Sequence, residues 1–152
     1  MVDFLTPLER SNRMSRIRSR DTKPELALRR ALHQLGVRYR LEGANLPGKP
    51  DLVFPRFKAV AFVHGCFWHR HSGCNVAATP KSNTEFWGKK FERNIERDRR
   101  VTSELEALGW RVLVAWECEL SSKSRLALTA ARLASDITGV TAEERCRPKP
   151  FR

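Results

Sequence analysis

The residues best able to do chemistry crowd into one stretch, 48–74. There a Gly48-Lys49-Pro50-Asp51 turn leads through an apolar run to Val63-His64, then to Gly65-Cys66-Phe67-Trp68-His69-Arg70-His71-Ser72-Gly73-Cys74. All but one of the four histidines and two of the four cysteines lie there. Cys66, His71 and Cys74 have four and two residues between them, tight enough to wrap one ion. A fourth ligand must come from elsewhere, and Cys118 is the candidate. Three thiolates and one imidazole make a closed tetrahedral Zn²⁺ site. By spacing alone His69 could stand in for His71. Asp51, behind Pro50, offers the hard oxygen that holds Mg²⁺ beside a scissile phosphate, where the metal polarises the phosphoryl oxygen. His64 and His69 are candidate proton carriers, because neutral imidazole near pH 7 can take a proton from attacking water. Phe67 and Trp68 are adjacent large aromatics in a loop that cannot easily bury both. With Trp87 they suit a wedge between base pairs or a stacking platform for bases.

Elements must bring these residues together. Thr22-Lys23-Pro24-Glu25 reads as a helix start, with Thr22 as N-cap and Glu25 at the capping-box position. Leu26, Leu28, Ala31, Leu32 and Leu35 supply its apolar face, and Gly36 ends it. On these residues alone Glu25 is a cap. Residues 37–41 read as a short strand and 43–50 as a loop. Residues 51–54 and 58–63 read as two strands of a hairpin about Pro55-Arg56, which carries Asp51 and His64 to the same open end. A long helix is expected over 84–108, stopped by Gly109, with Phe91, Ile95, Leu105 and Leu108 as its core face. Residues 110–116 make a fourth strand leading to Cys118. Residues 121–137 make a last helix with Leu126, Leu128, Ala131, Leu133 and Ala134. The order implies an α/β fold: a mixed four-stranded sheet flanked by helices. The chain divides into a basic arm or helix (1–20), a domain (21–137) and a polar tail (138–152) that holds Cys146.

Composition narrows the partners. The 152 residues suit one domain with one core. Lys and Arg number 29 against 17 Asp and Glu, a net charge of +12, which points to a polyanion such as nucleic acid. Arg10, Arg13, Arg16, Arg18 and Arg20 concentrate that charge near the N-terminus, where it suits phosphate contact. No apolar run reaches the roughly 18–20 residues of a bilayer helix, and residues 1–20 contain no secretory h-region. A cytoplasmic protein with no membrane partner is expected, and its reducing surroundings favour metal over disulfide for the cysteines.

Several motifs in one order resemble the very-short-patch (Vsr) repair endonucleases. They are His64-Gly65-Cys66-Phe67-Trp68-His69, Thr84-Glu85-Phe86-Trp87, Asn94-Ile95-Glu96-Arg97-Asp98-Arg99-Arg100, Gly109-Trp110-Arg111-Val112-Leu113 and Trp116-Glu117-Cys118. Arg10-Ser11, Met14 and Arg20-Asp21-Thr22 fit the same pattern, so the match spans roughly residues 10–120. The resemblance implies a restriction-endonuclease-like core with a structural zinc site. It implies a monomer that nicks one strand of duplex DNA 5′ to the thymine of a T·G mismatch, with mismatch-repair proteins as candidate partners. Mg²⁺ would be held by Asp51 and the backbone carbonyl of Val63. His69 would be the general base, His64 and Glu25 would position water and phosphate, and Asp98 would support the site. Zinc would fall to Cys66, His71, Cys74 and Cys118. Phe67, Trp68 and Trp87 would form the intercalating wedge, with Met14 entering from the minor groove. The acid-x-Lys of many restriction enzymes does not follow Asp51; Phe62-Val63-His64 stands in its place. Two rival readings are a catalytically silent, zinc-stabilised DNA-binding module and a restriction-type enzyme cutting both strands.

Overall fold

A computed structural model describes residues 6–43 and 45–140. Cys146 and the tail from residue 141 onward lie outside the described residues, as does the side chain of Arg10. Among the described residues there are four α-helices, α1 (Pro7–Ser15), α2 (Lys23–Gln34), α3 (Thr84–Ala107) and α4 (Lys123–Thr138), and three strands, β1 (Leu52–Phe54), β2 (Ala59–His64) and β3 (Arg111–Trp116). The sheet order is β1-β2-β3. β1 runs antiparallel to β2 with Val53 opposite Val60, and β2 runs parallel to β3 with His64 opposite Trp116. The parallel pair needs a long crossover, which the cysteine-bearing loop and α3 provide.

Strand alternation sorts the sheet into two faces. Leu52, Phe54, Ala59, Ala61 and Ala115 pack with Leu28 and Leu32 of α2 and Leu133, Ala134 and Ile137 of α4. Val53 and Val60 pack on the other face against Leu105 of α3, with Val101 and Phe62 beside them. Helices therefore cover both sides of a mixed sheet. Asp51, one step before β1, and His64, the last residue of β2, fall at the same end. Gly48 sets that end against α3: at φ +72°, a Cβ there would lie 2.2 Å from a Val101 methyl.

The strand expected over 37–41 does not form, so the sheet has three strands among the described residues and not the four expected. Of 37–41 only Arg40 pairs, in one antiparallel bridge with Val53, through two backbone hydrogen bonds of 2.8 Å. Beyond it the chain folds back. A Cβ on Gly43 would meet Leu46 at 2.6 Å, so the turn is too tight to extend the ladder. Three leucines expected on buried helix faces are also outside. Leu35 is 39% exposed because it is the C-cap of α2, past its last helical turn. Leu108 is 55% exposed because it is the C-cap, past the last helical turn of α3. Leu128 is 72% exposed, off the stripe of Thr129, Ala130, Leu133 and Ile137 that α4 buries.

Candidate active site and metal centre

Asp51 and His64 meet at the open end of the hairpin because β1 and β2 are in register. The Val63 N–H donates to Asp51 Oδ2 at 2.7 Å, fixing the carboxylate against the strand. Asp51, Glu25, Val63, His64, His69 and Asp98 line one cleft of about 490 Å³. Burial pushes Asp51 up to about 6; the Val63 N–H pulls it back, and the charge of Glu25 adds to the rise. It is an acid short of cations, which suits a hard divalent ion held by oxygens.

His64 and His69 lie face to face, with centroids 3.9 Å apart and planes 5° apart. Burial pushes His64 down to about 4, with the neighbouring His69 adding to the fall, so its imidazole is neutral at pH 7. His69 Nδ1 is 2.5 Å from Asp98 Oδ2 on α3. An ionised carboxylate only accepts, so Nδ1 carries the hydrogen, and in the neutral ring the free lone pair is on Nε2. The ligand atoms of His64, His69 and Asp98 lie within 4.8 Å of one another. They make a poor chelate, since lone pairs in two parallel stacked planes cannot both aim at one ion about 2.0 Å away. The cluster is better built to move a proton than to hold a metal.

Glu25 joins the cleft from the first turn of α2 and is only 4% exposed. Its carboxylate accepts from Asp21 N (2.9 Å), Thr22 Oγ1 (3.0 Å) and Arg29 Nη2 (3.1 Å). The cap is altered: Thr22 is the N-cap residue, but its hydroxyl donates to Glu25 instead of accepting from the backbone. Arg29 also donates to Asp21 Oδ1 at 2.6 Å, and that guanidinium holds the Asp21 carboxyl below its usual range.

A second cluster lies behind the histidines. The ligand atoms of Cys66, His71, Cys74 and Cys118 all fall within 4.8 Å of one another, a set that can hold a metal ion such as zinc. His71, not His69, lies with the cysteines: its Nδ1 is 3.6 Å from Cys66 Sγ and 3.4 Å from Cys118 Sγ. Burial pushes the Cys66 thiol up to about 12. A dication would be needed to draw off that proton, so the donor set, with Cys66 buried and the other three half-buried, fits a bound ion.

The aromatics form one cluster beside the cleft. Phe67 meets Trp68, Phe91 and Trp87 edge-on at 5.1, 5.2 and 5.4 Å. Phe67 and Trp68 are half-buried, whereas Trp87 is 7% exposed and lies beneath them. Lys90 Nζ is 5.1 Å from the Trp68 ring. Met14 and Ile17, from α1 and the segment after it, line an adjoining cleft with Trp68, His69 and Asn94.

The family model for the DNA mismatch endonuclease Vsr matches residues 2–75. A type II nicking enzyme of Xanthomonas oryzae pv. oryzae, V.XorIIP, is 49% identical over 126 residues, covering 83% of this chain and 92% of that protein. A second nicking enzyme, V.NmeAIP of Neisseria meningitidis serogroup A, is 45% identical over 137 residues, covering 90% of this chain and 97% of the relative. The DNA mismatch endonuclease Vsr of Escherichia coli is 44% identical over 126 residues, covering 83% and 80%. The chain belongs to the DNA mismatch endonuclease Vsr family. It is accordingly a DNA endonuclease.

Three residues of this Vsr-family site escape sequence reasoning. Arg29 is buried against Glu25, and its signal was the i,i+4 spacing of opposite charges on one helix. Asn94 Nδ2 donates to the Trp68 carbonyl at 3.1 Å, pinning the aromatic loop to α3. Trp116 lies between the two clusters, stacked on His71 at 4.2 Å and edge-on to His64 at 5.4 Å. Asn94 and Asp98 share a signal. Phe91, Asn94, Asp98, Val101 and Leu105 follow one another at three- and four-residue steps, so two polar side chains sit on the inward stripe of α3.

Proposed function

We propose that this chain is a mismatch-repair endonuclease that hydrolyses one phosphodiester bond 5′ to the thymine of a T·G mismatch, built on a restriction-type core. The observation that carries the reading is one cleft lined by a buried acid, Asp51, and an oriented imidazole, His69, with an aromatic cluster at its side. His69 Nε2 takes the proton from water as the water oxygen attacks phosphorus and the bond to the leaving oxygen breaks. Asp98 holds the imidazole in the tautomer that leaves Nε2 free and stabilises the imidazolium that forms. His64, neutral and stacked on His69, restricts the ring and lines the approach of water and phosphate. Asp51 and the Val63 carbonyl would hold Mg²⁺, which polarises the phosphoryl oxygen and stabilises developing charge when bound. Glu25, itself fixed by Arg29, adds a second carboxylate on that side of the cleft. Phe67 and Trp68 enter the duplex beside the mismatch with Trp87 as backing, and Met14 approaches from the opposite groove. Unstacking costs a few kcal/mol per step and is least at a mispair, which favours T·G over paired DNA. Zinc in the Cys66–His71–Cys74–Cys118 set would keep the aromatic loop fixed to the end of β3.

The test is a pair of supercoiled plasmids identical but for one T·G pair, incubated with the protein and Mg²⁺. Conversion of the mismatched plasmid alone to nicked circle is expected. Linear product from both plasmids would favour a restriction-type enzyme, and binding without cleavage would favour a silent recognition module.

A further inference from the structure

We infer that Trp116 is a positioning residue for strand cleavage: its indole fixes the plane of the His64 ring, and thereby the stacked His69 ring, and ties that plane to the metal-ligand cluster. The inference rests on the function proposed above and concerns the same site.

Trp116 ends β3 directly opposite His64 in the parallel register, so the two side chains leave the sheet as neighbours. The indole lies parallel to the His71 ring, 4.2 Å away and 5° out of plane. Its edge meets His64 at 5.4 Å and 74°. His64 lies flat on His69 at 3.9 Å, and His69 reaches Asp98 at 2.5 Å. An unbroken series of ring contacts thus runs from the ligand His71, through Trp116, to the imidazole that faces the cleft.

His64 needs such support. Among the described residues its ring makes no hydrogen bond, and rotation about the last torsion of a histidine is broad and two-fold. Only packing can fix its plane, and the packing is Phe62 at 5.8 Å, Trp116 and His69. The backbone of Trp116 is anchored. Its N–H donates to Glu119 Oε2 at 2.9 Å, and Arg132 of α4 bonds the same oxygen at 3.4 Å. One face of the indole rests on a residue that a bound ion would immobilise. Removing the indole opens a gap beside both histidines, and a shift of about 1 Å in a reacting group can cost about 100-fold in rate.

The experiment compares the full chain with Trp116→Leu, Trp116→Met and Trp116→Phe on a T·G duplex. Single-turnover nicking is measured at saturating enzyme with Mg²⁺, and affinity for the same duplex without it. Zinc per chain and melting temperature are recorded for each protein. Trp116→Leu should slow the nicking step by about 10- to 100-fold with affinity changed less than about twofold, and Trp116→Phe, which keeps a flat ring, should recover most of the rate. Should Trp116→Leu lose its metal or its fold, Trp116→Met replaces it, since methionine fills the gap without a flat face. Wild-type rates in Trp116→Leu or Trp116→Met would overturn the inference. So would a Trp116→Phe as slow as the aliphatic variants, or a loss of affinity in place of rate. If the unmodified chain fails to nick the T·G duplex, the proposed function falls and this inference with it.

Discussion

At the residue scale, the cleft holds charge in a costly form. Asp51 titrates near 6 in the fold against an ordinary 3.8, so the folded state binds its proton more tightly than the unfolded chain. Its contribution favours folding at low pH and is lost as pH rises from about 4 through 6; at pH 7 the ionised carboxylate costs about 1–3 kcal/mol. Asp51→Asn should therefore melt higher than the unmodified, Mg²⁺-free protein at pH 7. Thermal melts with and without Mg²⁺ check this: added Mg²⁺ should raise the wild-type midpoint and leave the variant unmoved. His64 works in the other direction. Its folded value near 4 lies below the ordinary 6.5, so its contribution is present above 6.5 and lost as pH falls toward 4. In the wild type the two effects oppose each other over that window. Without the Asp51 carboxyl the decline in stability from pH 6.5 to 4 should be steeper, and a decline parallel to wild type would contradict the assigned shifts.

At the element scale, the cysteine-bearing loop and α3 form the crossover between β2 and β3, and contacts along its length hold the loop. The Cys/His cluster joins it to the segment after β3. Asn94 of α3 at the Trp68 carbonyl, Asp98 at His69 and Phe91 against Phe67 join it to α3. With zinc in this cluster, as proposed above, its removal by a chelator should lower the melting temperature by several degrees or more, because a metal that joins distant segments contributes directly to folding. Unchanged melting after metal analysis has verified its removal would count against a structural ion. Trp68→Ala should weaken binding to a T·G duplex more than to a paired one, by about 1–3 kcal/mol for one lost stacking aromatic; equal losses on both would mean the ring serves packing alone.

The elements also show what could be read from sequence. The β1–β2 hairpin was legible because its apolar runs and Pro55-Arg56 break leave few alternatives, and with it the meeting of Asp51 and His64. The strand expected over 37–41 was not, because a single Arg40–Val53 bridge forms and the Gly43 turn then takes the chain away, a packing event with no local signature. Leu108 and Leu128 misled because hydrophobicity alone does not say where a helix ends or which side of it is covered. Arg29, and its burial against Glu25, were obscured for the opposite reason. Charged side chains are read as solvated, and a buried pair is recognised only when its partners are known. Trp116 looked like an ordinary strand residue, since its use depends on two histidines 45 or more positions away in the chain.

At the scale of the whole molecule, the N-terminal segment, the aromatic cluster and the cleft lie side by side. Met14 and Ile17, from α1 and the segment after it, line the same cleft as Trp68 and His69, so the N-terminal segment borders the site. With a net charge of +12, duplex binding should be dominated by release of counterions. Affinity should fall at least about tenfold from about 50 to about 200 mM salt, roughly equally for mismatched and paired duplex, because phosphate contacts carry no mismatch information. Titrations of both duplexes across salt check this, and a salt-insensitive affinity would show that the charge is not used on phosphate.

The most direct test of the central claim, that Asp51 and His69 act on one phosphate, is a parallel measurement of nicking and binding by Asp51→Ala and His69→Ala on a T·G duplex in Mg²⁺. Both variants should bind the duplex with near wild-type affinity and lose cleavage by about 100-fold or more. Cleavage by either variant at the wild-type rate would contradict the account.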